Sequence, residues 1–252
     1  MLTKTVLKHI KQLQQKKIRK ESREFVIEGI KGVKEVLLSN YEVLALIIEG
    51  DRRDEAEMKE LSLLATKKGI VVEFCGRNDV NLIKTTDTFP GILAVVGEPE
   101  TELENLTDGP IVCLNRINDP GNLGTIIRTA DWFDVQNILL SEDSVDPYND
   151  KVVRSTMGSI FHVNIFSSTN VASTLEKLKN KYGFRVNALD MKGDSINQIK
   201  PSKKEIYLFG SESHGISPEL DRLIDKRYTI AGNGKAESLN VGVAVGILLS
   251  KI

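Results

Sequence analysis

Three stretches of the sequence leave an apolar run through small, polar or charged residues that could do chemistry. In residues 115–130, Asn-Arg-Ile-Asn-Asp-Pro-Gly-Asn-Leu-Gly-Thr-Ile-Ile-Arg-Thr-Ala, a polar turn precedes helical spacing of Leu123, Ile126, Ile127, Ala130 and Phe133. Asn122, Thr125 and Arg128 fall off that apolar face, so an amide and a guanidinium stand where a ligand could meet them. Read singly, Asn122 is also an ordinary helix cap and Arg128 an ordinary surface residue. In residues 208–219, Gly210 and Gly215 let backbone come close to a ligand, Glu212 sits among small residues, and Ser217-Pro218-Glu219 reads as a helix start. A well-formed turn explains that stretch equally well. The third stretch, 230–240, opens the apolar run 241–249, with Ser238 as its expected N-cap. That run is apolar on nearly every side, which predicts a helix sandwiched within the protein or against a partner subunit.

Several chemistries are excluded on the same residues. Gly232-Asn233-Gly234-Lys235 resembles part of a phosphate loop, but Thr229 and Ala236 occupy the places of the required Gly and Ser or Thr. No G-x-G-x-x-G follows a strand, so a dinucleotide fingerprint is missing too. Cys75 and Cys113 are the only cysteines and lie outside any CxxC pattern, which suggests neither zinc nor a disulfide framework and fits a reducing cytosol. The most apolar stretch is too short to span a bilayer, and the N-terminus lacks a signal-peptide core. The net charge of −1 over 252 residues says little taken whole. Its distribution says more: residues 1–20 carry Lys4, Lys8, Lys11, Lys16, Lys17, Arg19 and Lys20 with no acid, a candidate phosphate contact or simply a Lys-rich solvated face.

The elements that must position these residues alternate. Helical spacing over 5–18 leads to a strand at 25–27, a helix at 30–38, strand 43–48, helix 54–68, strand 70–74, a short helix near 80–83 and strand 91–96. Glu, Thr, Pro and Gly over 97–110 read as a linker. Strands are then expected at 111–114, 137–140, 163–166, 185–189, 205–209 and 227–230, separated by helices or loops, which predicts a mainly parallel sheet. The expected organisation is α/β, with a small domain over 1–98, a linker over 99–109 and a larger domain over 110–252. The polar stretches then leave the carboxyl ends of strands, where open α/β sheets bind ligands.

Taken in order, the stretches resemble the three signature motifs of the SpoU (TrmH) family of RNA ribose methyltransferases, in the SPOUT superfamily. Residues 119–130 resemble the first motif, 209–217 the second, and Glu237-Ser238-Leu239-Asn240-Val241 the third. Residues 153–161, Val-Arg-Ser-Thr-Met-Gly-Ser-Ile-Phe, are similar to the family's Arg- and Gly-containing segment, and Glu24-Phe25-Val26-Ile27-Glu28-Gly29 to the start of its small RNA-binding domain. The sequence departs at Ala231, where the family usually has Pro, and at Gly121, where it often has His or Glu.

The resemblance implies a parallel-sheet methyltransferase domain whose C-terminal part is threaded into a deep trefoil knot. It also implies S-adenosylmethionine as cofactor with no metal, a cytoplasmic homodimer, no membrane, and methyl transfer to a ribose 2′-hydroxyl of structured RNA. Large-subunit (23S-type) rRNA comes before tRNA, because the N-terminal domain resembles that of rRNA-modifying relatives. A catalytically silent RNA-binding or ribosome-assembly protein is the alternative. By resemblance Arg128 is the principal catalytic residue, supported by Asn122, Glu212, Ser238 and Asn240. Phe209, Gly210, Glu212, Gly215, Ile230, Ser238 and Leu239 would hold the cofactor, and Arg128, Arg154, Lys16, Lys17 and Arg19 the RNA.

Overall fold

The computed structural model describes residues 2–211 and 215–252. In chain order its helices and strands are α1 (Lys4–Gln12), α2 (Lys16–Ser22), β1 (Glu24–Glu28), α3 (Ile30–Leu38), β2 (Val43–Glu49), α4 (Ala56–Lys67), β3 (Val71–Cys75), α5 (Arg77–Ile83), β4 (Ile92–Gly97), β5 (Ile111–Leu114), α6 (Pro120–Trp132), β6 (Asn137–Ser141), α7 (Asp150–Thr156), β7 (Asn164–Ser168), α8 (Val171–Tyr182), β8 (Arg185–Ser195), β9 (Glu205–Phe209), α9 (Pro218–Asp221), β10 (Lys226–Thr229) and α10 (Val241–Leu249). They divide into two compact units, Met1–Glu100 with Tyr148–Phe161, and Thr101–Pro147 with His162–Ile252.

The first unit holds a four-stranded sheet in the order β1-β4-β2-β3. Strand β4 is antiparallel to β1 and β2, and β2 is parallel to β3. Alternation along the strands gives each face its own apolar set: Val26, Ile47, Leu93 and Val95 meet Leu7, Ile10, Leu13, Val80 and Ile83 from α1, its C-cap and α5. The helical spacing over 5–18 is interrupted after Leu13, and a second helix starts at Lys16. Arg19, expected to face RNA, explains the interruption and corrects the expectation. Its side chain is buried, and Nη1 donates to the Leu13 carbonyl at 2.7 Å. A guanidinium taken from water must be hydrogen-bonded to be tolerated, so Arg19 serves the α1–α2 junction rather than solvent.

Tyr148–Phe161 joins this unit although its neighbours in sequence belong to the other. Aromatic packing accounts for it. The Phe25 ring lies 4.7 Å from that of Tyr148, the Tyr41 ring lies 5.0 Å from that of Phe161, and the Tyr41 hydroxyl donates to the Ile160 carbonyl at 3.1 Å. Burial pushes the Tyr41 hydroxyl up to about 12, so it remains a donor. The undivided stretch 110–252 read from the sequence therefore contains one excursion, invisible to periodicity because the contacts holding it are distant in sequence.

The second unit is built on a six-stranded, all-parallel sheet in the order β10-β8-β9-β5-β6-β7. From β5 the chain builds outward through β6 to β7, and then returns to place β9 on the other side of β5. Neighbours β5 and β9 thus form the topological switch point, with Leu114 beside Phe209. Every residue of β5, β6 and β9 is buried, as continuous apolar strands covered on both faces should be. Strand β8 runs to Ser195, six residues past its expected end, because a register shift lets Tyr228 and Thr229 of β10 pair with Asp194 and Ser195.

Helix α10 packs against α6 through small contacts. A Cβ at Gly242 would lie 3.4 Å from the Thr125 methyl, and one at Gly246 3.6 Å from the Thr129 methyl. Of the two surroundings expected for α10, the protein's own interior or a partner subunit, the chain itself supplies cover on part of the helix. Val241, Val245, Leu248 and Leu249 are buried, whereas Val243 is 51% exposed.

Candidate active site

Two polar turns and two helix starts converge at the switch point in the second unit. The turn after β5 is held from β6: the Ser141 hydroxyl accepts from Arg116 N–H at 2.9 Å, and the Ser144 hydroxyl from Ile117 N–H at 3.0 Å. The Arg116 guanidinium donates to Asp143 at 2.8 Å, and the Ser141 hydroxyl, then Arg116, hold the Asp143 carboxyl below its ordinary value. Ser141, Ser144 and Asp143 carry no local sequence signal, because their partners lie about 25 residues away.

Asp119 caps α6, accepting from Asn122 N–H at 2.7 Å, with Pro120 at the first helical position. This releases the Asn122 side chain from capping. Its Oδ1 accepts from Asn240 Nδ2 at 2.9 Å. Asn240 caps α10 through its own Oδ1, which accepts from Gly242 and Val243 N–H at 2.9 and 3.3 Å. The expected cap, Ser238, is therefore replaced by Asn240, and Ser238 stands exposed before the helix. The first and third stretches meet through two side-chain amides.

Arg128 lies on α6 with Thr125 and Trp132, three neighbours on an exposed stripe at helical spacing. Its guanidinium has no hydrogen bond or ion pair among the described residues. Trp132, the single tryptophan, is 83% exposed.

Across the switch point, Phe209 is buried at the end of β9 and its carbonyl accepts from Asn115 N–H at 3.0 Å. Ser211 and Gly215 close the following loop with reciprocal hydrogen bonds of 3.0 and 2.9 Å, and Gly215 takes φ +65°. At Gly210 a Cβ would fall 2.3 Å from the Gly215 carbonyl carbon, so no larger residue fits. Glu212 lies outside the described residues. Ser217 occupies the N-cap position of α9 but its side chain makes no capping bond. Its Oγ and the Asn115 Nδ2 are both buried without a hydrogen-bond partner among the described residues. Asn115 was not singled out in the sequence; an Asn ending an apolar strand was the available signal.

In the third stretch, residues 231–240 are all exposed, and the backbone of Ile230 through Leu239 has no hydrogen bond among the described residues. Such N–H and C=O groups are free for a ligand. Among the described residues no group of three or more His, Cys, Asp or Glu is placed to hold a metal ion, and no helix is long and apolar enough to cross a membrane.

The remaining expected RNA contacts lie in the first unit. Lys16 and Lys17 are exposed on α2, Lys17 with Glu21 at 3.8 Å. Arg154 is half-buried on α7, held through Nη1 by Asp150 and by the Thr85 hydroxyl, both at 2.9 Å.

The sequence model of the SpoU rRNA Methylase family matches residues 109–250, and that of the MRM3-like substrate binding domain matches residues 4–94. The 23S rRNA (guanosine(2553)-2′-O)-methyltransferase RlmP of Bacillus subtilis is 30% identical over 96% of this chain and 94% of its own length. A structure of a putative RNA methyltransferase of the TrmH family from Porphyromonas gingivalis superposes with a TM-score of 0.87, at 32% identity over 100% of this chain and 98% of that one. The AdoMet-bound rRNA methyltransferase from Sinorhizobium meliloti gives 0.87 at 30% identity, covering 100% of this chain and 95% of that one.

Proposed function

Because the chain belongs to the SpoU rRNA methylase family and is an RNA methyltransferase, we propose that it methylates a ribose 2′-hydroxyl of large-subunit rRNA from S-adenosylmethionine, acting in the cytoplasm. The observation that carries the reading is the Asn122–Asn240 pair, which joins two of the three motifs beside an exposed, unpaired Arg128. RlmP of Bacillus subtilis, similar along almost its whole length, supports the rRNA assignment.

The residues present fit the cofactor. Gly210 and Gly215 bring no side chain where the chain leaves β9 and where it rejoins at Gly215, and the unspent backbone of 230–239 offers donors and acceptors for an adenosine. Phe209, Gly210, Glu212, Gly215, Ile230, Ser238 and Leu239 are assigned to hold it. When bound, S-adenosylmethionine would supply an electrophilic methyl group on a sulfonium for in-line displacement by the ribose oxygen, the S–CH3 bond breaking as O–CH3 forms, with a neutral thioether as leaving group and the hydroxyl proton released to water. Arg128 meets the ribose oxygen and the neighbouring phosphate. A guanidinium has five donors and no acceptor, so its contribution is to stabilise charge growing on the oxygen and to orient the RNA. Asn122, Glu212, Ser238 and Asn240 hold the surrounding loops and reactants in register, and positioning of this kind is worth several kcal/mol, of order 7–11 in favourable cases.

The domain reading assigns 1–98 to substrate binding, 99–109 to a linker and 110–252 to methyl transfer, with Arg154, Lys16 and Lys17 contacting RNA; the two family-model matches support it. The C-terminal part, after β9, is read as a deep trefoil knot, and the protein as a homodimer. Exposed Val243, at 51%, supports a second copy on the uncovered side of α10.

The test is methyl transfer from tritiated S-adenosylmethionine to purified 23S rRNA and to tRNA, with the 2′-O-methyl site mapped in cells with and without the gene. Label confined to tRNA would replace the substrate assignment. A catalytically silent protein predicts no heat of binding on calorimetric titration with S-adenosylmethionine.

A further inference from the structure

We propose that a cleft within the first unit, between the β1–α3 turn and α7, is a pocket for one unpaired nucleotide of the RNA, whose phosphate it takes on Arg154 and Lys31. The inference rests on the reading of residues 1–98 and Arg154 as RNA-binding and deepens it to a site and a ligand.

The cleft has a volume of about 380 Å³, within the range of small-ligand sites. Ile27, Ile30, Pro90, Val153 and Met157 give it apolar walls, while Lys31 and Arg154 supply positive charge. Two close approaches shape it, one within the β1–α3 side and one between α3 and the end of α7. A Cβ at Gly32 would fall 2.6 Å from the Ile27 Cδ1, and one at Gly158, where φ is +103°, 2.7 Å from the Glu35 Cγ. Met157 ends α7 in the left-handed region at φ 54° and is 47% exposed. An unbranched residue pays for that conformation, and a mobile thioether against a cleft suits the face of an aromatic ring.

The polar groups are arranged for an anion. Both hydrogen bonds of Arg154 use Nη1, to Asp150 and Thr85, leaving the Nη2 and Nε edge, the fork that matches a phosphate, without a partner among the described residues. Lys31 makes no ion pair among the described residues. Helix α3 starts at Gly29, which has no side chain to cap it, and the first-turn amides of Ile30, Lys31 and Gly32 find no acceptor among the described residues. The acid in the cleft, Glu28, has both carboxylate oxygens engaged by Thr85 N–H and the Thr86 hydroxyl, which ties it into the wall. Apolar walls beside a fixed guanidinium fork suit a base with its phosphate better than an acidic peptide, and the Lys-rich start of the same unit favours RNA.

The experiment uses the full chain, labelled for NMR, titrated with each of the four nucleoside 5′-monophosphates, with a short single-stranded oligoribonucleotide and with inorganic phosphate. Nucleotides and the oligonucleotide are expected to move the amides of Ile30, Lys31 and Gly32 and the Met157 methyl; phosphate alone moves the amides and leaves the methyl. Arg154→Gln is expected to weaken the oligonucleotide about tenfold, the scale of one charge-assisted contact, with S-adenosylmethionine affinity unchanged. Lys31→Gln, at an exposed position, gives a smaller loss in the same direction and serves if the first variant fails to fold. Amides that stay in place with every nucleotide and with the oligonucleotide overturn the pocket, even if the protein methylates RNA. Equal shifts of the Met157 methyl by phosphate and nucleotide overturn the nucleotide assignment. Nucleotide binding here without methyl transfer elsewhere would instead defeat the proposed function and leave the pocket standing.

Discussion

The side-chain amide of Asn240 donates to Oδ1 of Asn122 at 2.9 Å, although 118 residues separate them in sequence. The same Asn240 uses its Oδ1 to cap α10, so one residue starts a helix and fixes that helix to the first turn of α6. Asn240→Ala should destabilise the protein by about 1–2 kcal/mol, the usual cost of losing a cap. In urea unfolding of Asn122→Ala, Asn240→Ala and the double variant, the coupling between the two is expected at about 0.5–1.5 kcal/mol. Strict additivity would mean that the pair does not act as a unit.

Arg128 sits on the helix that this pair anchors, exposed and without an internal partner. If it stabilises charge on the ribose oxygen, Arg128→Ala should lower the rate of methyl transfer about 100-fold or more, while calorimetry finds S-adenosylmethionine binding intact. Arg128→Lys keeps the charge but loses the planar fork, and should recover only part of the rate. Near-normal turnover in Arg128→Ala would remove it from the chemistry.

What could be read in the sequence follows from the range of each signal. Strands β5 and β9 lie at the residues expected of them, 111–114 and 205–209, because their apolar runs are covered on both faces and every residue is buried. The sequence points to Ser238 rather than Asn240 as the cap of α10 because both are good capping residues by type; the Asn122 partner that decides between them is remote in sequence. Arg19 looked like one cation among many, and only its bond to Leu13 shows why the helical spacing over 5–18 breaks. Ser141 and Ser144, which hold the turn carrying Asn115 and Arg116, carry no local pattern. Motif order names the candidate residues, whereas the supports of the turns that carry them depend on contacts between strands.

At Gly210 the constraint is steric. A Cβ would lie 2.3 Å from the carbonyl carbon and oxygen of Gly215 and 2.6 Å from Ile216 N, all backbone atoms that cannot rotate away. Gly210→Ala must open the loop closed by Ser211 and Gly215. It should cost about 1–3 kcal/mol in thermal or urea unfolding, as overpacking does, and weaken S-adenosylmethionine binding. Gly234→Ala has nothing within 4 Å of its Cβ and is the matched control, expected to leave stability unchanged.

Glu104 provides an acid-sensitive interaction remote from the site. It accepts from the Tyr182 hydroxyl at 2.7 Å, with Lys177 and Lys181 at 3.4 and 3.7 Å. The Tyr182 hydrogen bond first, then its own backbone and Lys177, lower its carboxyl from 4.5 to about 2. A depressed folded-state value contributes stability above the unfolded value and loses it as pH falls toward the folded one. Thermal melts of the parent and Glu104→Gln should therefore differ at pH 6 and converge between pH 4.5 and about 2. Because the pair is exposed, salt should shrink the difference at pH 6.

Lys16 and Lys17 stand exposed at the start of α2, while Arg19 three residues on is buried. If the first two meet RNA phosphates, their contribution is electrostatic and carries a salt signature. Removing one lysine–phosphate pairing should reduce the slope of log affinity against log salt by about 1, slightly less for single strands. Lys16→Gln with Lys17→Gln should thus weaken binding of 23S rRNA fragments and flatten the slope by about 1–2, with S-adenosylmethionine binding unaffected. Arg19→Gln is expected to behave differently, lowering stability through the Leu13 carbonyl it leaves unpaired while keeping the salt slope of the parent. An equal change of slope in the two variants would place Arg19 on the RNA despite its burial, and an unchanged slope in the lysine variant would take α2 out of the RNA interface.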